Sequence, residues 1–184
     1  MSKVVIVYHS GYGHTQRLAQ AVAEGAQGEL VVIDAEGNVS DDGWATLGAA
    51  DAIIFGTPTY MGNASWQFKK FADASSKAWF TQAWKDKIAG GFTNSASLNG
   101  DKQSTLQSLF TLASQHGMVW VGLGLMPSNT KAATRADLNA LGASVGAMAA
   151  SPSDSGVDEM LSGDLDTGRQ YGARVAAAAA RWTK

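Results

Sequence analysis

The chain has 184 residues, 45% hydrophobic and 16% charged, with a formal net charge of −2 and a mean hydropathy of −0.08. That size and mixture suit one domain over residues 1–184 with a buried core, give nucleic acid no basic footprint, and contain no apolar run long enough to span a membrane. With no cysteine, disulfides, thiol chemistry and thiolate-held iron–sulfur clusters are excluded, so any redox chemistry needs an organic cofactor.

Met1-Ser2-Lys3 lacks the layout of a signal peptide, and a cytoplasmic protein is expected. Val4-Val5-Ile6-Val7-Tyr8 follows as a strand apolar on both faces. A helix is predicted over 15–26, with Leu18, Ala19, Val22 and Ala26 on one stripe. Leu30–Ile33 reads as a second strand, and Trp44–Leu47 as one or two helical turns. Ala52–Phe55 is a third strand, ending in Gly56-Thr57-Pro58, and a helix resumes near Ser65 to carry Trp66–Lys77. Ile88–Phe92 is a strand weakened by its glycines. Lys102–Gln115 is a helix with Leu106, Leu109, Phe110 and Ala113 on one face, and Met118–Val121 is the last strand. The final helix runs from about Asp164 to Trp182, burying Tyr171, Val175, Ala179 and Trp182.

Strands alternating with helices imply right-handed crossovers and an α/β fold. About five strands in this rhythm match a flavodoxin-like three-layer sandwich, its parallel sheet in the order 2-1-3-4-5. Leu123–Gly163 breaks the rhythm, with only Thr134–Leu141 looking helical. So long a loop before the last helix is read either as cover for a site or as disorder.

Ligands of open parallel sheets bind outside the carboxyl ends of the strands, so three loops matter. The first, Ser10-Gly11-Tyr12-Gly13-His14-Thr15, opens into a helix whose backbone N–H groups suit a phosphate; it also reads as a plain turn capped by Thr15. It has no lysine, which disfavours a Walker-type site. Asp34 at the end of the second strand keeps a dinucleotide site open, although Gln16 stands where that motif has its third glycine. The second loop, Pro58-Thr59-Tyr60-Met61-Gly62-Asn63, offers hydroxyls, an aromatic and a thioether to a flat heterocycle. The third, Thr93-Asn94-Ser95-Ala96-Ser97-Leu98-Asn99-Gly100, offers backbone donors to a carbonyl-rich ring. His116 reads either as a helix C-terminal residue stopped by Gly117 or as an imidazole aimed at the ligand. No spacing of histidines and carboxylates suggests a metal site.

Tyr12-Gly13-His14, Gly56-Thr57-Pro58-Thr59 with Gly62-Asn63, and His116-Gly117-Met118 together resemble the WrbA-type NAD(P)H:quinone oxidoreductases. These belong to the flavodoxin and NADPH-dependent FMN reductase group, and the resemblance runs from about Lys3 to Gly122. It implies bound FMN, with Ser10–Thr15 on its phosphate, Pro58–Asn63 beside the isoalloxazine and Thr93–Gly100 along the ring edge and ribityl chain. It further implies His116 near the ring, Trp79 reaching a neighbouring subunit's flavin, and a dimer or tetramer. An imidazole there is expected to hydrogen-bond the acceptor oxygen or supply its proton, since it titrates near neutrality. The expected activity is two-electron transfer from NAD(P)H to a quinone or similar small acceptor. The alternative is a single-electron carrier that docks with redox proteins. Three departures stand out: Tyr60-Met61 replaces the family's usual Arg-Phe, the third loop lacks its run of glycines, and the segment between Ile33 and Ala52 is shorter than in typical members.

Overall fold

The computed structural model describes residues 2–182; Met1, Thr183 and Lys184, which the expected domain span includes, lie outside the described residues. In chain order the elements are β1 (Val4–Tyr8), α1 (His14–Ala26), β2 (Glu29–Val32), α2 (Asp41–Gly48), β3 (Ala52–Tyr60), β4 (Asn63–Ala64), α3 (Trp66–Ala74), α4 (Ser76–Phe80), β5 (Ile88–Ser95), α5 (Lys102–Gln115), β6 (Val119–Trp120), β7 (Ala147–Ala150) and α6 (Ser162–Trp182). The parallel sheet runs β2-β1-β3-β5, and its fifth position is shared by β6 and β7. By position this is the expected flavodoxin-like order.

Successive side chains of a strand point to opposite faces, and β1 divides the core accordingly. Val4, Ile6 and Tyr8 join Leu18 and Val22 of α1 and Tyr171 and Val175 of α6. Val5 and Val7 join Leu47 of α2, Phe68 and Phe71 of α3 and Leu106 and Leu109 of α5. Both faces of the sheet are therefore covered, which is why its central strands are apolar without alternation.

Several expected elements are corrected. The third strand continues through Gly56-Thr57-Pro58 to Tyr60, and the fourth continues through Thr93 and Asn94 to Ser95. The glycines of β5 make room for aromatic rings: a Cβ on Gly90 would fall 2.6 Å from the Tyr171 hydroxyl, and one on Gly91 2.7 Å from the Trp120 ring. The helix expected over 66–77 breaks at Ser75, which closes α3 and opens α4. Residues 134–141 form turns rather than a helix. Trp182, expected to be buried, is 54% exposed, and its indole donates to the Asp86 carbonyl; Phe110, expected on one face with Leu106 and Leu109, is 37% exposed.

The long segment after β6 returns to complete the sheet. β6 pairs with Ile88 and Ala89, the segment leaves, and β7 returns beside Phe92–Ser95. At the gap, the Tyr171 hydroxyl accepts from Gly91 N–H at 3.0 Å and donates to the Val121 carbonyl at 2.7 Å. A phenol from α6 thus stands in for the absent piece of strand. Among the described residues no helix is long and apolar enough to cross a membrane.

Candidate functional site

A cavity of about 650 Å³ opens at the carboxyl ends of β1, β3 and β5. Tyr12, His14 and Thr15 line it from the first loop, Pro58, Thr59 and Tyr60 from the end of β3, and Asn94, Ser95 and Ala96 from the end of β5. All three predicted loops therefore converge. Ser151, Pro152, Ser153, Ser155, Gly156 and Val157 form a fourth wall that the sequence reading left open between cover and disorder.

The first loop is shaped by the start of α1. Its N-cap is Gly13 in the left-handed region, at φ 91°, where only glycine sits without strain. The cap has no side chain, so Ser10 takes over: its hydroxyl accepts from Gly13 N–H and Gln16 N–H, both at 3.1 Å. The first N–H groups of a helix lack intrahelical acceptors, and those of His14 and Thr15 are left for an anion, favoured by the helix dipole. His14 Nε2 lies 3.1 Å from the Ser155 carbonyl, tying the fourth wall to this loop. A Cβ on Gly13 would fall 2.8 Å from Val157, so that wall closes directly over the helix start.

The second segment is a hairpin rather than an open loop. Tyr60 pairs with Asn63 across a two-residue turn, Met61 at φ 48° and Gly62 at φ 78°. Met61 stands fully exposed at its tip, and Asn63 turns away to accept from the Ser108 hydroxyl at 2.8 Å. Of the expected ring contacts here, Pro58, Thr59 and Tyr60 reach the cavity, whereas Met61, Gly62 and Asn63 do not line it. Tyr60 meets Tyr12 edge-on at 6.2 Å, and burial raises its phenol above the usual value.

Beneath the floor, Thr59 Oγ1 lies 2.8 Å from both Thr93 Oγ1 and Thr105 Oγ1. These buried hydroxyls clamp the ends of β3 and β5 to α5. Thr93 is thus structural, and Thr105 was missed because a threonine inside a helix gives no signal of its own. Asn94 Oδ1 accepts from the Ser151 hydroxyl at 3.0 Å, and Ser95 carbonyl accepts from Ser151 N–H at 3.1 Å. The Ser95 hydroxyl is buried with no partner. Ser97, Asn99 and Gly100 lie beyond the lining, on the loop into α5. Ser151–Val157 carried one usable signal, a Ser-Pro-Ser-Asp-Ser-Gly run of the same character as the other loops.

His116 does not join this cavity. It ends α5 just ahead of β6, whose partners Ile88 and Ala89 open β5, whereas the cavity is lined by Asn94 and Ser95 at the other end. Six residues of extended strand separate the two, about 20 Å. Its ring lies against Trp84 at 4.4 Å with Nε2 2.9 Å from the Ser75 hydroxyl. Trp79 also lies outside this cavity, half-exposed on α4 against Phe80. Asp34 does not face it either; its carboxylate accepts from Glu36 and Asn38 N–H groups, which with the Asn38 bond foremost hold it below its ordinary range. No cluster of three or more metal-ligating side chains occurs among the described residues.

The donor set fits a phosphorylated flavin: a helix start freed for an anion, aromatic and proline walls for a flat ring, and an unpartnered buried hydroxyl at its edge. Comparison with known proteins agrees. The family model for NADPH-dependent FMN reductases matches residues 43–133. Flavodoxin FldP of Pseudomonas aeruginosa is 62% identical over 96% of each chain. An NAD(P)H dehydrogenase (quinone) of Chromohalobacter salexigens is 34% identical over 98% of each. The crystal structure of a WrbA-like flavodoxin from Agrobacterium tumefaciens superposes with a TM-score of 0.83 at 59% identity, covering 98% of this chain and 99% of that one. The chain belongs to the WrbA-type, flavodoxin-like FMN reductase family of flavoproteins.

Proposed function

We propose that this chain holds FMN in the 650 Å³ cavity and passes two electrons from NAD(P)H to a quinone or similar small acceptor. The observation that carries the reading is the meeting of the freed α1 start with the ends of β3 and β5 in one cavity. When bound, FMN supplies the redox chemistry, accepting a hydride and giving up electrons to an acceptor. The first loop and the N–H groups of His14 and Thr15 hold the phosphate. Pro58, Tyr60 and Asn94–Ala96 border the ring, and Ser151–Val157 keeps water from one side.

A second cavity, about 980 Å³ and walled by Trp66, Phe68, Leu109 and Leu112, meets the first at Tyr60. It supports a small apolar acceptor docking beside the ring. The chain is further proposed to act in the cytoplasm as a homo-oligomer. A second reading, a single-electron carrier, is favoured by the 62% identity to a protein called a flavodoxin.

The test is an anaerobic absorbance titration of the FMN-loaded chain with NADH and NADPH, followed by benzoquinone. Bleaching in one stage by a nicotinamide and recolouring by the quinone is expected. Reduction by dithionite in two resolved stages, with no response to either nicotinamide, would make the chain a carrier.

A further inference from the structure

Lys102 is buried completely, and no other lysine among the described residues is buried. It opens α5 directly after the loop that leaves β5. Its ammonium donates to the Ser97 carbonyl and, at 3.2 Å, to the Leu98 carbonyl. A trans peptide sets the C=O of one residue opposite the N–H of the next. With the Ser97 and Leu98 carbonyls drawn inward, the N–H groups of Leu98 and Asn99 face the exposed side of the loop. A Cβ on Gly100 would fall 2.2 Å from the unpartnered Ser95 hydroxyl and 3.3 Å from Lys102 Nζ. The ammonium therefore sits at the base of the loop, near the buried hydroxyl of Ser95, a residue of the cavity's lining.

We propose that Lys102 is a positioning residue for flavin binding: its buried ammonium fixes the 96–100 loop and so holds Ala96, the first residue of that loop, in its place in the cavity wall. The inference rests on the FMN reading above and assigns the loop's shape to one charge. The charged groups facing that ammonium are Asp164 from α6 and Arg135 from the segment between β6 and β7. They are paired with each other at 2.7 Å, and Asp164 also accepts from Ala150 N–H. Burial outweighs the attraction of Asp164 and brings the lysine down to about 8. The loop's anchor is then charged at neutral pH and discharged at mildly alkaline pH.

The test is the FMN dissociation constant, read from flavin fluorescence quenching, from pH 7 to 9.5 in the full chain, Lys102→Arg and Lys102→Met. This window lies above the second phosphate ionisation at about 6, and Tyr60 titrates beyond it. The wild-type constant should rise about tenfold across the window, the size of one lost charge-assisted hydrogen bond. Lys102→Met should bind about tenfold more weakly at pH 7 and show no rise; Lys102→Arg should bind well and also show none. Should Lys102→Met not fold, the wild-type and Lys102→Arg profiles decide. A rise shared by Lys102→Arg, or a flat wild-type profile with FMN firmly bound, overturns the role of Lys102 alone. A wild-type chain that binds no FMN overturns the flavin reading with it.

Discussion

Nε2 of His116 meets the Ser75 hydroxyl at 2.9 Å, its Nδ1 is buried without a partner, and burial lowers its proton affinity. With the folded-state value depressed, the unfolded chain binds the proton more readily below the ordinary 6.5. Stability is therefore lost as pH falls through that value. His116→Ala should cost about 1–3 kcal/mol at neutral pH by removing a hydrogen bond of the Ser75 hydroxyl, which keeps its bond to the Ala72 carbonyl, and by opening space beside Trp84. It should also flatten the loss of stability between pH 7.5 and 5 in urea melts, and leave FMN affinity unchanged. A large drop in FMN affinity would return His116 to the site. Sequence order sets His116 ahead of Met118–Val121, at the amino end of that strand, whereas the motif that singles it out carries no position in the sheet. Pro58, Thr59 and Asn94 were legible because they follow apolar runs that can only be parallel strands.

Among the elements, the break between β6 and β7 is the least regular part of the sheet. The Tyr171 phenol fills it, and burial holds that phenol protonated far above its ordinary range. Tyr171→Phe keeps the ring but strands Gly91 N–H and the Val121 carbonyl in the core. A loss of about 2–4 kcal/mol in denaturant melts is expected, summed over two unsatisfied buried groups. Amide exchange at Gly91 and Val121 should quicken more than at Val5 or Ile53; equal protection would mean that water or backbone fills the gap. The strands rich in valine and isoleucine announced themselves. Ala147-Met148-Ala149-Ala150 did not, since alanine favours helix and only pairing with Phe92–Ser95 makes this segment a strand. The hairpin at Met61-Gly62 was equally hidden, because Met is a poor marker of a positive-φ turn.

For the molecule as a whole, two buried layers leave several large apolar side chains outside. Trp79 is 49% exposed and Phe80 80%, packed edge-to-face on α4. If a neighbouring copy covers them, sedimentation velocity should show a dimer or tetramer, and the Trp79→Ser, Phe80→Ser double variant should weaken association at least about tenfold. A monomeric wild type would remove the proposed cross-subunit role of Trp79. The layered fold was legible from the alternation of apolar strands and amphipathic helices, whereas no feature of a single chain's sequence counts its copies.

Finishing the fifth sheet position with two separate pieces has a further consequence. Register is set independently at each end, by Ile88 and Ala89 for one piece and Phe92–Ser95 for the other. What joins them can thus be re-cut at its solvent-facing tip, around Met126–Lys131, while both pairings stay in place. The crossover is a graft point: a cassette lodged there would ride on the domain without touching the walls of the 650 Å³ cavity.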